Sequence, residues 1–222
     1  MEHGFGLNIP TTLEEVCIPK RTALIVYDMQ VGVVRQIPDS AKVIHQVGKV
    51  IEGARTAGVR IFYTRHMSLP NELAGVTQLR TAMAWQRVSS VSEVKPWFLR
   101  DSPGFQIVPE LSPLSSEAIF DKIAMSAFVG TPLDIALRDC GICSFAIVGV
   151  ALEVGIEPTV RHATDLGYIP IIVVDACGGR DRAAQRRALE GFAFAGGSFQ
   201  TDTATICELF AKAGTTLQTD RQ

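Results

Sequence analysis

The sequence has no excess of one charge: 21 basic and 23 acidic side chains over 222 residues leave a formal charge of -2. Such a balance offers no electropositive footprint, so neither nucleic acid nor an anionic bilayer is expected as a partner. There is also no apolar run of the roughly 20 residues needed to cross a bilayer. The first ten residues, MEHGFGLNIP, lack the basic-then-apolar order of a secretory signal, and the expected location is the cytoplasm. Cysteine is scarce and odd in number, with five at 17, 140, 143, 177 and 207. That is no disulfide framework, and free thiols are expected. Internal repeats and low-complexity linkers are missing too, which favours one domain over residues 21–215 behind a polar N-terminal arm at 1–20.

What the chain does have is alternation. Continuous apolar runs at Thr22–Tyr27, Arg60–Thr64, Ala118–Phe120, Phe145–Gly149 and Ile169–Val174 read as strands covered on both faces. Amphipathic stretches at Ser40–Ala57, Thr131–Asp139, Leu152–Leu166, Arg182–Phe194 and Thr203–Lys212 read as helices between or after them. Gly58, Gly141 and Gly167 stand just past three of these, where a left-handed capping residue is wanted. The pattern predicts an α/β fold, a three-layer α/β/α sandwich around a mainly parallel sheet of about six strands. Residues 67–113 are irregular and hold both tryptophans; a loop of that length suits a lid or an oligomer contact.

In an open parallel sheet, ligands bind beyond the carboxyl ends of the strands. Three positions there stand out. Asp28 ends the run ALIVYDMQ, Lys122 ends AIFDK, and Gly155 lies in the first helical turn after AIVGVALEVG. Taken singly, an Asp can merely cap a turn and a Lys can merely be solvated. Together they are expected to bring a carboxylate, an ammonium and a helix start into one cleft.

These stretches also resemble a family. ALIVYDMQ at 23–30, FDKIAMSAFVGTPLDIALRDCGI at 120–142 and FAIVGVALEVGIEPTVRHATDLGYIPIIVVDAC at 145–177 are similar to the isochorismatase-like, or cysteine hydrolase, superfamily. The resemblance implies Asp28 as general acid or base, Lys122 as the group that orients it or stabilises charge, and position 155 as the place of the cysteine nucleophile. It also implies a cis peptide between Val150 and Ala151, with backbone N–H groups turned toward a substrate oxygen. Gly155 is the departure, since glycine can form no thioester.

For a member without the thiol, the resemblance implies Asp general acid/base chemistry on a small metabolite, cyclic and carboxylated compounds among the candidates. The resemblance favours cleavage of a vinyl ether, since isochorismatases can carry glycine at this position: that reaction needs a delivered proton and no nucleophilic side chain, and Gly155 would then open room for the substrate ring or for water. Amide or imide hydrolysis by activated water, and a catalytically inactive binding or scaffold protein, remain as alternatives. No cofactor is implied.

Substrate-binding candidates are Gln30, Arg65, His66, Trp85, Arg87, Phe128 and Leu152, with Arg65 and His66 offered to a substrate carboxylate and Trp85, Arg87 and Phe128 to a ring. His66 with Asn71 and Glu72 falls short of a metal-ligand set, so no metal is expected. His162 is expected in a structural network with Asp165 or Glu157. Trp97 and Phe98 read as core or interface. Cys177 reads as a buried thiol, and the Cys140–Cys143 spacing as coincidence, because a redox pair opens a helix and this one ends it. The family resemblance suggests a homodimer or homotetramer.

Overall fold

All six residues of Thr22–Tyr27 (β3) are buried, as a central strand covered on both faces requires. The computed structural model describes residues 1–219. Around β3 the chain lays down Arg60–His66 (β4), Ala118–Lys122 (β5), Ser144–Val150 (β6), Ile169–Gly178 (β7) and Phe199–Thr201 (β8). They form a six-stranded, all-parallel sheet in the order β5-β4-β3-β6-β7-β8. Alternate residues of β3 feed two cores, Leu24 and Val26 on one face, Ala23, Ile25 and Tyr27 on the other.

The first face is covered by the long helices Ser40–Thr56 (α3) and Thr203–Thr219 (α8). Val43, Val47, Val50, Ile51 and Ala54 recur at helical spacing on α3 and meet Ile206 and Phe210 of α8 in that core. Three helices cover the second face: Leu133–Asp139 (α5), Glu157–Asp165 (α6) and Arg182–Ala195 (α7). They contribute Leu133, Leu137, Val160, Ala163 and Phe192. The result is the three-layer sandwich the sequence pattern predicts.

Several elements differ from expectation for identifiable reasons. The expected helix at 152–166 begins as a π-type turn over Leu152–Ile156, because the carbonyl of Ala151 accepts from Val154, Gly155 and Ile156 together. Pro158 has no N–H to extend that turn, and α6 starts beside it, where proline is tolerated. The strand expected at Ile169–Val174 runs on to Gly178 through a register shift against β6. The N-terminal arm is no loose tail. It carries a hairpin, Glu2–Gly4 (β1) with Leu7–Ile9 (β2), and a capped turn at Leu13–Val16 (α1) that delivers Val16 and Cys17 to the core. A second short helix, Val31–Val34 (α2), follows β3. Within residues 67–113 the helix Val76–Gln86 (α4) has no buried residue, while Phe98, Phe105 and Leu111 anchor the rest. No helix among the described residues is long and apolar enough to cross a membrane.

Gly149 pairs with Tyr27 across the sheet at φ +121°, and a methyl group there would run into the Tyr27 carbonyl. Gly149→Ala is expected to lower unfolding stability by about 3 kcal/mol or more, read from urea denaturation.

Candidate active site

The chain builds outward from β3 to β4 and β5, then returns to place β6 on the other side of β3. The neighbours β3 and β6 therefore leave the sheet in opposite directions at their carboxyl ends, which opens a crevice there. Asp28 stands at its floor with φ +47°, a left-handed conformation that is uncommon for a residue with a side chain. Local bonds enforce it. The Asp28 N–H donates to the Thr64 carbonyl at 3.2 Å, and Thr64 Oγ1 donates to Asp28 Oδ1 at 2.7 Å.

The other carboxylate oxygen, Oδ2, accepts from Lys122 Nζ at 2.7 Å, with the lysine side chain 0% and the aspartate 6% exposed. Lys122 also donates to the Ala124 carbonyl at 3.2 Å, and its ammonium lies 4.4 Å from the centre of the Tyr27 ring. Burial pushes the Lys122 ammonium below the usual lysine range, and the Asp28 charge pulls the other way. The ammonium thus holds its proton less tightly than a surface lysine, yet that proton is shared with a carboxylate. Tyr27 moves the opposite way: burial, then the Asp28 charge, raises its phenol well above the normal range and keeps it protonated. Its hydroxyl donates to the Met125 carbonyl.

Asp28, Tyr27, His66, Val150, Ala151 and Gly155 share one cleft of about 130 Å³. His66 is neutral there: burial foremost, then the Lys122 charge, push it down to about 4. Its Nδ1 is buried without a hydrogen-bond partner. The Val150–Ala151 peptide is cis. Past it, the N–H groups of Val154, Gly155 and Ile156 are all taken by the Ala151 carbonyl. An apolar annex of about 270 Å³ adjoins the cleft beneath α4, sharing His66, Trp85, Trp97, Phe98 and Met125 with it.

Not every residue marked from sequence faces this cleft. Trp85 does, and so do Trp97 and Phe98, which the sequence reading gave to core or interface. Arg65 does not: it pairs with Asp121 at 2.7 Å and stacks 4.2 Å over Phe105, so its guanidinium is already engaged. Gln30 is fully buried as a clamp, accepting from His66 N and donating to the carbonyls of His66 and Phe105. Phe128 belongs to the core, stacked on Tyr168 and edge-on to His162, and Leu152 is core as well. Arg87 is exposed at the end of α4, away from the cleft lining. Gly155 opens no room, because the Tyr27 ring packs against it. His162 bonds Ser126 at 3.0 Å, while Glu157 pairs with Arg161.

Sequence reasoning passed over Tyr27, Thr64, Met125 and Arg180. Tyr27 was hidden inside a run read as a core strand. Arg180 follows β7 by two residues, so the rule that found Asp28 would have found it once the strand was known to reach Gly178. Its side chain lines the cleft mouth and has no hydrogen-bond or ion-pair partner among the described residues. Cys177 cannot replace a thiol nucleophile: it is buried, its Sγ faces the Ile147 carbonyl, and burial pushes the thiol far up. All five cysteines are free. Among the described residues no group of three or more His, Cys, Asp or Glu is placed to hold a metal.

Comparison with known proteins agrees with this architecture. Residues 22–205 match the Isochorismatase domain. A ureidoacrylate amidohydrolase, RutB, of Acinetobacter baylyi is 27% identical over 72% of this chain and 71% of its own length. A cysteine hydrolase structure from Pseudomonas syringae pv. phaseolicola superposes with a TM-score of 0.75 at 26% identity, covering 88% of this chain and 94% of that one. N-carbamoylsarcosine amidase from Thermoplasma acidophilum shares the fold, with a TM-score of 0.67 at 23% identity over 82% and 96% of the two chains.

The depressed His66 has a consequence for stability. Its folded form binds its proton only near pH 4, whereas an unfolded histidine does so near 6.5, so protons favour unfolding in that window. Stability is expected to fall as pH drops from 6.5 toward 4. His66→Gln should remove up to about 1.4 kcal/mol per pH unit of that slope, measured from urea midpoints at pH 7, 6 and 5.

Proposed function

Since the chain belongs to the isochorismatase family of hydrolases, we propose that it hydrolyses a small carboxylated metabolite through Asp28 and Lys122 without a covalent intermediate, with cleavage of a vinyl ether as the favoured reaction. The observation that carries this reading is the buried Asp28–Lys122 pair at the crevice, in a cleft whose lining includes position 155, which bears no side chain.

A vinyl ether is cleaved once a proton reaches its terminal methylene carbon. In the resting pair the proton sits on Lys122, whose burial weakens its hold. Transfer across the 2.7 Å contact from Nζ to Oδ2 makes Asp28 the acid. The carboxylate left after protonation then faces the oxocarbenium ion, water adds to that ion, and the hemiketal breaks into an alcohol and a ketone. One water is consumed overall and the proton returns to the pair. No oxyanion develops in this sequence, which suits a site where three consecutive N–H groups serve the Ala151 carbonyl.

A second reading has its own support: RutB, the relative described above, is named an amidohydrolase. The same pair run in reverse, with Asp28 taking a proton from water, would hydrolyse an amide or ureido carbonyl. A scaffold role is disfavoured, because an unused buried ion pair costs stability that a hydrophobic pair would not.

Arg180 replaces Arg65 as the cation for a substrate carboxylate. Its guanidinium, without an ion-pair partner among the described residues, stands at the cleft mouth near Trp85, Trp97 and Phe98, walls suited to a ring.

A panel of vinyl ethers, amides and ureas, assayed for ketone and for ammonia, separates the two reactions. On whichever substrate turns over, Asp28→Asn is expected to cut kcat by about 100-fold or more; unchanged turnover would end the assignment. Arg180→Gln is expected to raise KM by about tenfold or more for carboxylated substrates while leaving kcat nearly unchanged, since it removes a charged hydrogen bond from binding and not from the proton transfer.

A further inference from the structure

Gly155 is confined. A Cβ built on it would lie 2.5 Å from Cζ and 2.6 Å from Cε1 of Tyr27, and closer still to the hydroxyl. These atoms cannot simply swing aside. The ring is 1% exposed in the second core, its hydroxyl is tied to the Met125 carbonyl, and its face carries the Lys122 ammonium at 4.4 Å. Thr159 Oγ1, which also lies within reach of the Tyr27 hydroxyl, donates to the Gly155 carbonyl at 2.7 Å and holds the helix start against the ring.

We propose that Tyr27 occupies the volume a side chain at 155 would need, so that Tyr27 and Gly155 form a coupled pair: tyrosine at 27 and a thiol at 155 exclude each other, and the pair commits the cleft to chemistry without a thiol. The absence of sulfur is then no isolated loss. The space beside the helix start has been given to an aromatic ring that backs the Lys122 ammonium, giving that ammonium a third partner besides Asp28 and Ala124. Placing sulfur there again takes two changes. This inference rests on the reading of position 155 as the nucleophile position of thiol-dependent relatives.

The test is a double-mutant cycle joined to thiol labelling, and neither needs a substrate. Gly155→Cys alone is expected to lower Tm by at least about 5 °C, because overpacking a rigid core is costly. Tyr27→Val removes the colliding atoms and keeps a strand-forming residue, so the double variant Tyr27→Val/Gly155→Cys should be more stable than Gly155→Cys alone. Tyr27→Phe/Gly155→Cys should show no such recovery, since Cζ and Cε1 remain. Equal stability of the Tyr27→Val double and the Gly155→Cys single, including failure of both to fold, overturns the proposal, as does a Gly155→Cys protein with wild-type Tm.

Iodoacetamide labelling, located by mass spectrometry, separates this from the reading beneath it. In the double variant the thiol at 155 should be alkylated at pH 6.5 at least about tenfold faster than N-acetylcysteine in the same buffer, as expected for a thiol near a lysine. A recovered Tm with an ordinary labelling rate would uphold the shared volume and overturn position 155 as a nucleophile site.

Discussion

The Asp28–Lys122 ion pair is the constraint around which the carboxyl edge of this sheet is arranged. Two charges taken out of water lose several kcal/mol of hydration each, and their attraction repays that only when every remaining hydrogen-bonding direction is filled. Here the supporting contacts come from β3, from β4 and from the end of β5 with the residues just after it. Thr64 on β4 bonds one oxygen of Asp28, and Lys122 at the end of β5 bonds the other. Ala124 accepts from Lys122, and the Tyr27 ring supports the same ammonium. Asp28 is also held in the left-handed region. A fold selected for stability alone would place apolar side chains here. A buried charge pair held in a strained backbone at a sheet's carboxyl edge is the feature on which the proposed chemistry rests.

The same constraint explains the backbone nearby. Tyr27 must come close to β6 and to the turn after it, which leaves no space for a Cβ at Gly149 against the Tyr27 backbone or at Gly155 against its ring. Two glycines 128 residues or less from Tyr27 in sequence are therefore set by one strand position. The crossover that returns the chain from β5 to β6 makes that approach possible, because it puts the residues after β6 directly beside those after β3.

Much of this was legible in the sequence, and what was not has physical causes. The four central strands declare themselves by continuous apolar runs, and the edge strand β5 carries a short one. The edge strand β8 is short and only partly buried, so it carries no such run. Asp28 and Lys122 are polar residues terminating apolar runs, and that contrast makes them visible. Tyr27 is an aromatic residue inside a strand, where packing and chemistry look alike in one dimension. Arg65 and His66 are adjacent letters, yet strand alternation sends His66 to the cleft and Arg65 to Asp121. Phe128 and Trp97 exchanged roles for a similar reason: which aromatic faces the core depends on loop paths that periodicity does not encode.

The distribution of charge in the cleft gives the proposed reaction a direction. At the inner end Asp28 and Lys122 offset each other and His66 is held neutral, so that end carries little net charge. At the mouth, Arg180 stands without an ion-pair partner among the described residues. An anionic group entering such a cleft is stabilised at the rim and gains nothing by going deeper, whereas an uncharged ether or carbonyl loses little hydration on reaching the pair. On the proposed reading, a carboxylated substrate would be oriented with its acid outward and its scissile bond inward. The pair itself is buried at the inner end of the cleft, and in the proposed proton transfer a short hydrogen bond between a lysine and a carboxylate acts there more strongly than it would in bulk water.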